Sequence, residues 1–138
     1  MPLFKDADEL YTHLGRLFEE ALEDPELGPR LRELDCTVQF RLRRPDALVT
    51  IKALREEEPE VDLGITRLRP DVTLLAEADT MHRLWLGRVN PAVALAGGRI
   101  RATGPVGKIL SLVPLISLVL ERYRAQLAEA GREDLATV

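Results

Sequence analysis

Residues 90–105 read NPAVALAGGRIRATGP, and this stretch decides how the C-terminal half of the chain folds. Asn90 is a good helix N-cap, because its side-chain oxygen can accept a hydrogen bond from a free N–H of the first turn. Pro91 suits the first helical position, where the N–H that proline lacks has no intrahelical partner. Gly97 is a common kind of helix end. The stretch therefore predicts a short helix over residues 91–96.

The second half of the stretch predicts a strand over residues 98–103 that ends at a Gly-Pro pair. Its side chains alternate, so Ile100 faces inward while Arg99 and Arg101 face outward. An outward arginine is by default a solvated residue, and the alternative is that these two steer a carboxylate head group or a partner. The stretch holds no His, Cys, Asp, Glu or Ser, so it predicts shape rather than chemistry.

Hydrophobic patterning on the N-terminal side supplies most of the other elements. An apolar stripe at helical spacing predicts a helix over residues 6–23, with Asp6 as N-cap and Glu9 in the manner of a capping box. Asp79 is expected to cap a short helix over residues 80–86. Alternation predicts four strands, and the segment before the first of them is expected to be a loop or one short extra turn. These strands cover residues 36–43, 47–54, 61–65 and 72–78, and the expected loop covers 25–34.

The last predicted helix, over residues 106–129, is unusually apolar. Its segment 109–120 reads ILSLVPLISLVL and presents apolar side chains in nearly every direction. Pro114 is expected to kink the helix or to start its regular part, because it removes one intrahelical hydrogen bond. A helix that is apolar all round must bury all its faces, and one sheet covers only one of them. Core packing, a partner subunit, a membrane surface or an apolar ligand could bury the rest.

The order of these elements is typical of an α+β fold, with a five-stranded, mostly antiparallel sheet covered on one face by helices. Length and composition agree with one domain over residues 1–130 and a polar C-terminal tail over 131–138 that is expected to fray. Of the 138 residues, 46% are hydrophobic, which is enough for a real core.

Charge and cysteine content exclude several classes of function. A net charge of −4 argues against nucleic acid or an anionic membrane as a partner held by electrostatic attraction. A single cysteine excludes an internal disulfide and favours a reducing compartment. The apolar run 109–120 falls short of the roughly 20 residues that span a bilayer. We expect a soluble cytoplasmic protein with no integral membrane span, no metal and no cofactor.

Residues 70–112 resemble the sterol carrier protein type 2 family, whose domains bind and transfer sterols and lipids. The family pattern there is a strand, an acidic residue that opens a short helix, a glycine, an Asn-Pro-x-x-Ala helix, a glycine-containing strand and an apolar C-terminal helix. The residues that match it are Asp71, Asp79, Leu84, Gly87, Asn90, Pro91, Ala94, Gly98, Ile100, Gly104, Ile109 and Leu112.

The resemblance implies an apolar tunnel between sheet and helices that holds a sterol, a fatty acid or an acyl chain without covalent chemistry. Such a ligand gains affinity from the removal of apolar surface from water. We expect the tunnel walls to include Phe40, Val49, Ile51, Leu84, Trp85, Leu95, Ile100, Ile109, Leu112, Val113 and Ile116. The alternative is a homodimer or an accessory interaction module that uses the apolar helix and binds no ligand. An enzyme is not expected, because no acid/base pair, nucleophile or metal set is visible.

The remaining candidates for chemistry are few. His13 lies off the apolar stripe of its helix and is expected to be exposed or at a boundary. His82 could lie near the tunnel mouth. Cys36 is expected to be a buried, inert thiol, since no base is placed near it. Trp85 is expected to pack in the core, although its polar tip would also suit a rim.

Overall fold

Five strands form one sheet in the computed structural model, which describes residues 1–138. Helices precede the sheet, interrupt it and follow it. The strands are β1 (Cys36–Arg43), β2 (Ala47–Ala53), β3 (Glu60–Leu63), β4 (Val72–Glu77) and β5 (Ile100–Thr103). The α-helices are α1 (Ala7–Leu10), α2 (Arg16–Glu23), α3 (Leu27–Arg32), α4 (Ala78–Trp85), α5 (Pro91–Ala96), α6 (Val106–Ser111), α7 (Val113–Glu129) and α8 (Glu133–Ala136). Across the sheet the order is β3, β2, β1, β4, β5.

The sheet is mixed. β1 pairs with β2, β2 with β3, and β4 with β5 in antiparallel fashion, whereas β1 and β4 are parallel. The α+β class and the five strands are therefore confirmed, with one parallel pairing that the sequence pattern does not reveal. Because β3 and β4 run in the same direction, residues 64–71 have to return the chain along the sheet before β4 begins.

The two faces of β1 differ less in burial than the alternation of its side chains predicts. Phe40 and its neighbours on the inner face are at most 4% exposed and belong to the core. On the other face Arg41 is exposed, as expected, but Gln39 is buried and donates a hydrogen bond from Nε2 to Thr50 Oγ1 at 3.0 Å. The pairing satisfies both polar groups, so their burial costs little.

The N-terminal helix contains a π-helical turn over Tyr11–Gly15 between α1 and α2. The predicted cap is confirmed: the Glu9 N–H donates to Asp6 Oδ1 at 2.9 Å. The prediction that His13 is exposed or at a boundary is wrong, since it is only 7% exposed. A π turn adds a residue per turn, which shifts the phase of the helix and carries His13 inward.

Two further local predictions are corrected. Residues Leu27–Arg32 form helix α3 where a loop or one extra turn was expected, because Asp24 Oδ1 accepts the Leu27 N–H at 2.8 Å and starts a helix there. The short helix α4 begins at Ala78, so Asp79 lies inside it and does not cap it. Its carboxylate instead accepts the Leu3 N–H at 3.0 Å and ties down the N-terminus.

The connector over residues 90–105 folds as predicted. Asn90 Oδ1 accepts the Val93 N–H at 3.1 Å, and α5 runs from Pro91 to Ala96 with Gly97 as its C-cap. The following helix divides at Leu112 into α6 and α7, and Pro114 lies in the first turn of α7. The predicted interruption is thus confirmed. No helix in the structure is both long and apolar enough to cross a membrane.

The C-terminal residues are docked, and the expected fraying is not observed. Leu135 of α8 is 1% exposed, and its carbonyl accepts a hydrogen bond from His82 Nε2 at 2.8 Å. A carbonyl can only accept, so His82 is protonated on Nε2, and Nδ1 accepts the Tyr123 O–H at 2.8 Å. His82 is therefore a buried structural residue and does not lie near a cavity mouth.

Gly104 should be the least replaceable glycine of the connector. Its φ is +136°, and a Cβ there would lie 2.4 Å from the Asp71 carbonyl oxygen. Gly104→Ala is expected to lower the free energy of unfolding by at least about 2 kcal/mol, measured by urea denaturation. The control is Gly98→Ala, at φ +76° with open space around it, which should cost about 1 kcal/mol. Equal losses of the free energy of unfolding in the two variants would show that the Asp71 carbonyl does not restrict position 104.

Burial of the two histidines predicts a loss of stability in mild acid. Burial lowers the pKa of His82 and of His13 below their ordinary value. The unfolded chain therefore binds protons at about pH 6.5 that the folded chain rejects. The histidines therefore contribute their full share to the free energy of unfolding above that pH. This free energy should fall as the pH decreases from about 7 to 5, and urea denaturation at each pH measures it.

A matched variant isolates the histidine contribution. His82→Gln has no titrating ring, so its free energy of unfolding should vary less between about pH 7 and 5 than that of the parent. Asp24 does not interfere: the backbone N–H of Leu27 is the main cause that lowers the pKa of its carboxyl, so its contribution is lost only below about pH 4. An unchanged slope in the variant would contradict this assignment.

Candidate apolar binding site

A first cavity lies between the inner face of the sheet and the helices of the C-terminal half. It has a volume of about 30 Å³. Its walls come from β4, α4, α5, β5, α6 and α7 with the residue between the last two helices. The lining residues are Leu74, Leu84, Trp85, Pro91, Leu95, Ile100, Ile109, Leu112, Val113 and Ile116.

A second cavity, of about 20 Å³, lies on the side of the N-terminal helices. All of its walls are hydrophobic and come from α2, α3, β1, β2, α4 and the start of α7, with one residue after α3 and one before α7. The lining residues are Phe18, Leu22, Leu31, Leu34, Val38, Phe40, Ile51, Ala53, Trp85, Leu112 and Leu115.

Trp85 and Leu112 line both cavities and so form the partition between them. Trp85 is 2% exposed and is held by an aromatic cluster. The Phe18 ring forms a T-shaped pair with it at a centroid distance of 4.9 Å, and the Phe40 ring centroid is 5.9 Å away. These contacts tie α2, β1 and α4 together around the partition.

One polar atom of the partition has no protein partner. The Trp85 Nε1 is buried and makes no hydrogen bond. A buried N–H without an acceptor costs about 1–3 kcal/mol. All the other residues that line the two cavities have apolar side chains. Among the side chains that line the two cavities, the indole N–H is thus the only hydrogen-bond donor, and none of them is charged.

The structure brings most of the expected wall residues to these cavities. Eight of them line the first cavity: Leu84, Trp85, Leu95, Ile100, Ile109, Leu112, Val113 and Ile116. Phe40 and Ile51 line the second. Val49 lines neither cavity and is fully buried in the core beside Phe40.

Several lining residues were not expected from the sequence. Leu74 points to the same face as Phe40, its partner in the parallel pairing of β1 and β4, which the sequence does not indicate. Leu31 in α3 and Leu34 just after it line the second cavity, in a segment that was expected to be a loop or one short extra turn. The sequence did predict that Phe18 is buried, since it lies on the apolar stripe of its helix. The stripe alone does not show whether a buried side chain packs in the core or lines a cavity.

The chemically active side chains lie outside the cavities. Cys36 is buried, and burial raises the pKa of its thiol, which keeps the thiol protonated and unreactive. No group of three or more His, Cys, Asp or Glu side chains is placed to hold a metal ion. The arrangement can bind an apolar molecule, and it contains no visible acid/base pair.

The fold resembles solved structures of sterol carrier proteins. A sterol carrier protein domain from Helicoverpa armigera has 23% identity and a TM-score of 0.65, over 82% of this chain and 89% of that one. Sterol carrier protein 2 from Aedes aegypti, solved with palmitate, has 19% identity and a TM-score of 0.56, over 82% of this chain and 96% of that one.

A domain of similar fold also occurs within a larger enzyme. The alkylsulfatase Pisa1 from Pseudomonas sp. matches at 17% identity and a TM-score of 0.51, over 60% of this chain but only 13% of the enzyme. At these identities the likeness concerns the fold alone. Among curated proteins, none matches this chain significantly in sequence.

Structural likeness at low identity does not establish family membership, but a match to a sequence model of a family does. The model of the SCP-2 sterol transfer family matches residues 14–117. That range includes all the strands, the cavity-lining parts of α4, α5 and α6, and the start of α7. This chain belongs to the SCP-2 sterol transfer family.

Proposed function

We propose that this protein is a non-catalytic carrier that holds a sterol-like molecule, a fatty acid or an acyl chain inside its apolar interior. The observation that carries the proposal is the pair of apolar cavities that lie on the two sides of Trp85. Each buried Å² of apolar ligand surface contributes about 25 cal/mol, so such a ligand needs no charged partner. The palmitate bound by the Aedes aegypti protein of similar fold supports this class of ligand.

Binding requires the interior to open. The cavities measure about 30 and 20 Å³, whereas sites for small molecules usually measure about 300–1,000 Å³. Moving the Trp85 and Leu112 side chains would join the two cavities into one channel. The structure therefore represents a closed state, which a ligand must expand.

Helix α6 is the element whose displacement costs least. It is short and contains no fully buried residue. Ile109 packs against the core from one side, and Lys108 Nζ donates to the Leu34 carbonyl at 2.8 Å. Few buried apolar contacts mean a low free energy of local opening. We assign the entrance to this helix.

The unpaired indole N–H of Trp85 indicates where a polar group of the ligand would lie. A hydroxyl, an ester carbonyl or a protonated acid would supply the missing acceptor. An ionised carboxylate fits less well at this depth, because the walls hold no cation to balance a buried charge.

A second candidate function is an interface, as a homodimer or as an accessory module without ligand. Leu110 and Val113, which are 60% and 39% exposed, favour it because they leave part of the apolar helix uncovered. The alkylsulfatase match shows that this fold also occurs within a larger chain. An interface module would stay empty when offered lipid, which separates the two functions.

Ligand uptake is tested directly through the only tryptophan. A long-chain fatty acid brominated on its chain should quench Trp85 emission with saturation. Native mass spectrometry of protein purified from cells should show a retained lipid. A protein that is empty and shows no quenching would exclude the carrier function.

A cavity-filling variant tests the location of the ligand. Ile116→Phe places a ring in the first cavity and should weaken fatty-acid binding at least tenfold, or about 1.4 kcal/mol. Ser117→Phe, on the next, exposed position of the same helix, is the control and should bind as the parent does. Equal binding by both variants would place the ligand elsewhere.

The polar anchor is tested with Trp85→Phe, which keeps an aromatic ring but removes the N–H. Binding of a long-chain alcohol should weaken by about two- to tenfold, as for one hydrogen bond. Binding of a hydrocarbon of equal length should stay unchanged. Displacement of a fluorescent lipid measures both ligands. An equal effect on both would show that the N–H binds no ligand oxygen.

A further inference from the structure

The outer face of the sheet, on the side away from the two cavities, carries one row of paired side chains across four strands. Ile100 faces the first cavity, so its neighbour Arg101 lies on the outer face. Arg101 is paired with Leu75, Leu75 with Arg41, and Arg41 with Leu48. Directly paired residues share a face of the sheet, so these four side chains lie together. We call them the arginine row.

The arginine row lies in the accessible part of the outer face. Arg41 and Arg101 are exposed, and Leu75 is 37% exposed. Two residues earlier on β1, Gln39 is only 7% exposed. Two residues later, Arg43 is again exposed and lies on the same face as Arg41. The open part of the face is therefore the part toward the carboxyl ends of β1 and β4.

The arginines of this face have no counter-charge within the chain. No carboxylate lies within 4.0 Å of the guanidinium groups of Arg41, Arg43 or Arg101. Glu77 is the direct partner of Arg43 in the sheet, but it is half-buried and forms no ion pair. By contrast, Arg122 on the helical side pairs with a carboxylate. Unpaired guanidinium groups on neighbouring strands repel one another, so this face lacks a negative partner.

The sheet fixes the spacing of these groups. Adjacent strands lie about 4.8 Å apart, so the Cα atoms of Arg41 and Arg101 are about 10 Å apart with Leu75 between them. Arg43 lies about 7 Å from Arg41 along β1. A carboxylate can accept two parallel N–H···O bonds from one guanidinium group. An acidic segment with an apolar side chain between its carboxylates therefore matches this face in charge and in hydrophobicity.

Nucleic acid and lipid match the face less well. Sequence-tolerant binding of single strands uses exposed aromatic side chains on which bases stack, and no Phe, Tyr or Trp of this chain is exposed. Binding at a lipid surface requires several apolar side chains that insert. Leu75 is the only exposed large hydrophobic residue in any of the strands.

A second copy of the chain also fits less well. The chain has an exposed acidic run at Glu56–Glu58 that could meet the arginine row of another copy. Such a contact joins two different surfaces, so it leads to a ring or to an open chain of copies. A separate acidic protein is instead satisfied by one contact. Charge complementarity without continued assembly therefore selects a different protein as the partner.

We propose that the arginine row, together with Arg43, docks an acidic segment of a partner protein whose carboxylates flank an apolar side chain. The docking surface and the cavities lie on opposite faces of the sheet, since Phe40 and Ile100 line the cavities from the inner face. The partner and an interior ligand can therefore be bound at the same time. This docking surface does not depend on the carrier function.

A labelled peptide tests the proposal on the full chain. The probe is a fluorescein-labelled synthetic peptide of about 12 residues in which glutamates surround two leucines, and fluorescence polarisation measures its binding. Binding should be saturable, and the same peptide with glutamine in place of glutamate should bind at least tenfold more weakly. Raising the ionic strength from about 0.1 to 1 M should also weaken binding at least tenfold. Equal binding of both peptides, or binding of neither, would overturn the proposal.

Matched variants locate the docking surface. Arg41→Gln/Arg101→Gln removes two cations of the arginine row and should weaken peptide binding about fivefold. Its control, Arg30→Gln/Arg88→Gln, removes two exposed arginines without ion pairs outside the sheet and should change binding less than twofold. Equal losses in the two variants would show that the peptide responds only to the total charge and would overturn the proposal.

The apolar part of the surface has its own pair of variants. Leu75→Thr keeps a residue that suits a strand and should weaken peptide binding about threefold or more. Its control is Val93→Thr on α5, at a position that is 63% exposed, and it should bind as the parent does. Urea denaturation verifies that both variants are folded. A Leu75→Thr protein that is folded and binds as the parent does would contradict the proposed contact.

Other partners give different results. A single-stranded RNA of about 12 nucleotides that binds the arginine row more tightly than the peptide would overturn the proposal. So would a concentration-dependent mass that Arg41→Gln/Arg101→Gln abolishes, because it would identify a second copy as the partner. Quenching of Trp85 by brominated fatty acid should be the same in these variants as in the parent. A parent that binds the peptide but shows no quenching would exclude the carrier function alone.

Discussion

Trp85 and Phe18 pack in a T-shaped pair, and this contact holds the interior of the protein in its observed form. It joins the N-terminal helix to the short helix after β4 and leaves Phe40 of the central strand within 5.9 Å of the indole. Because the indole also separates the two cavities, the same packing that stabilises the fold keeps each cavity small. A movement of Trp85 that enlarged the cavities would therefore also break packing contacts that stabilise the fold.

The apolar C-terminal helix has three surroundings along its length. Val119 is fully buried in the core, Ile116 lines a cavity, and Leu110 is left in contact with water. A single sheet can cover only one face of such a helix. The excess of apolar surface follows from geometry, and it is concentrated where α6 and α7 meet, near the proposed entrance.

Local rules in the sequence predicted the elements well where backbone chemistry decides them. Asn90 and Pro91 started a helix, Pro114 interrupted one, and the alternation around Phe40 marked the central strand. Predictions failed where distant partners decide. The parallel neighbour of β1 depends on topology, and the inward position of His13 depends on a π turn that helical spacing does not anticipate. Most of the cavity-lining residues could be predicted because the family resemblance implies an apolar tunnel between the sheet and the C-terminal helices.

The hydrogen bond between His82 and the Leu135 carbonyl joins two helices that lie far apart along the chain. Its consequence concerns the order of assembly: α4 contains the donor, but the acceptor arrives only when α8 docks. Until then, a buried N–H without a partner costs about 1–3 kcal/mol. The interior around α4 and the docking of α8 therefore have to form together.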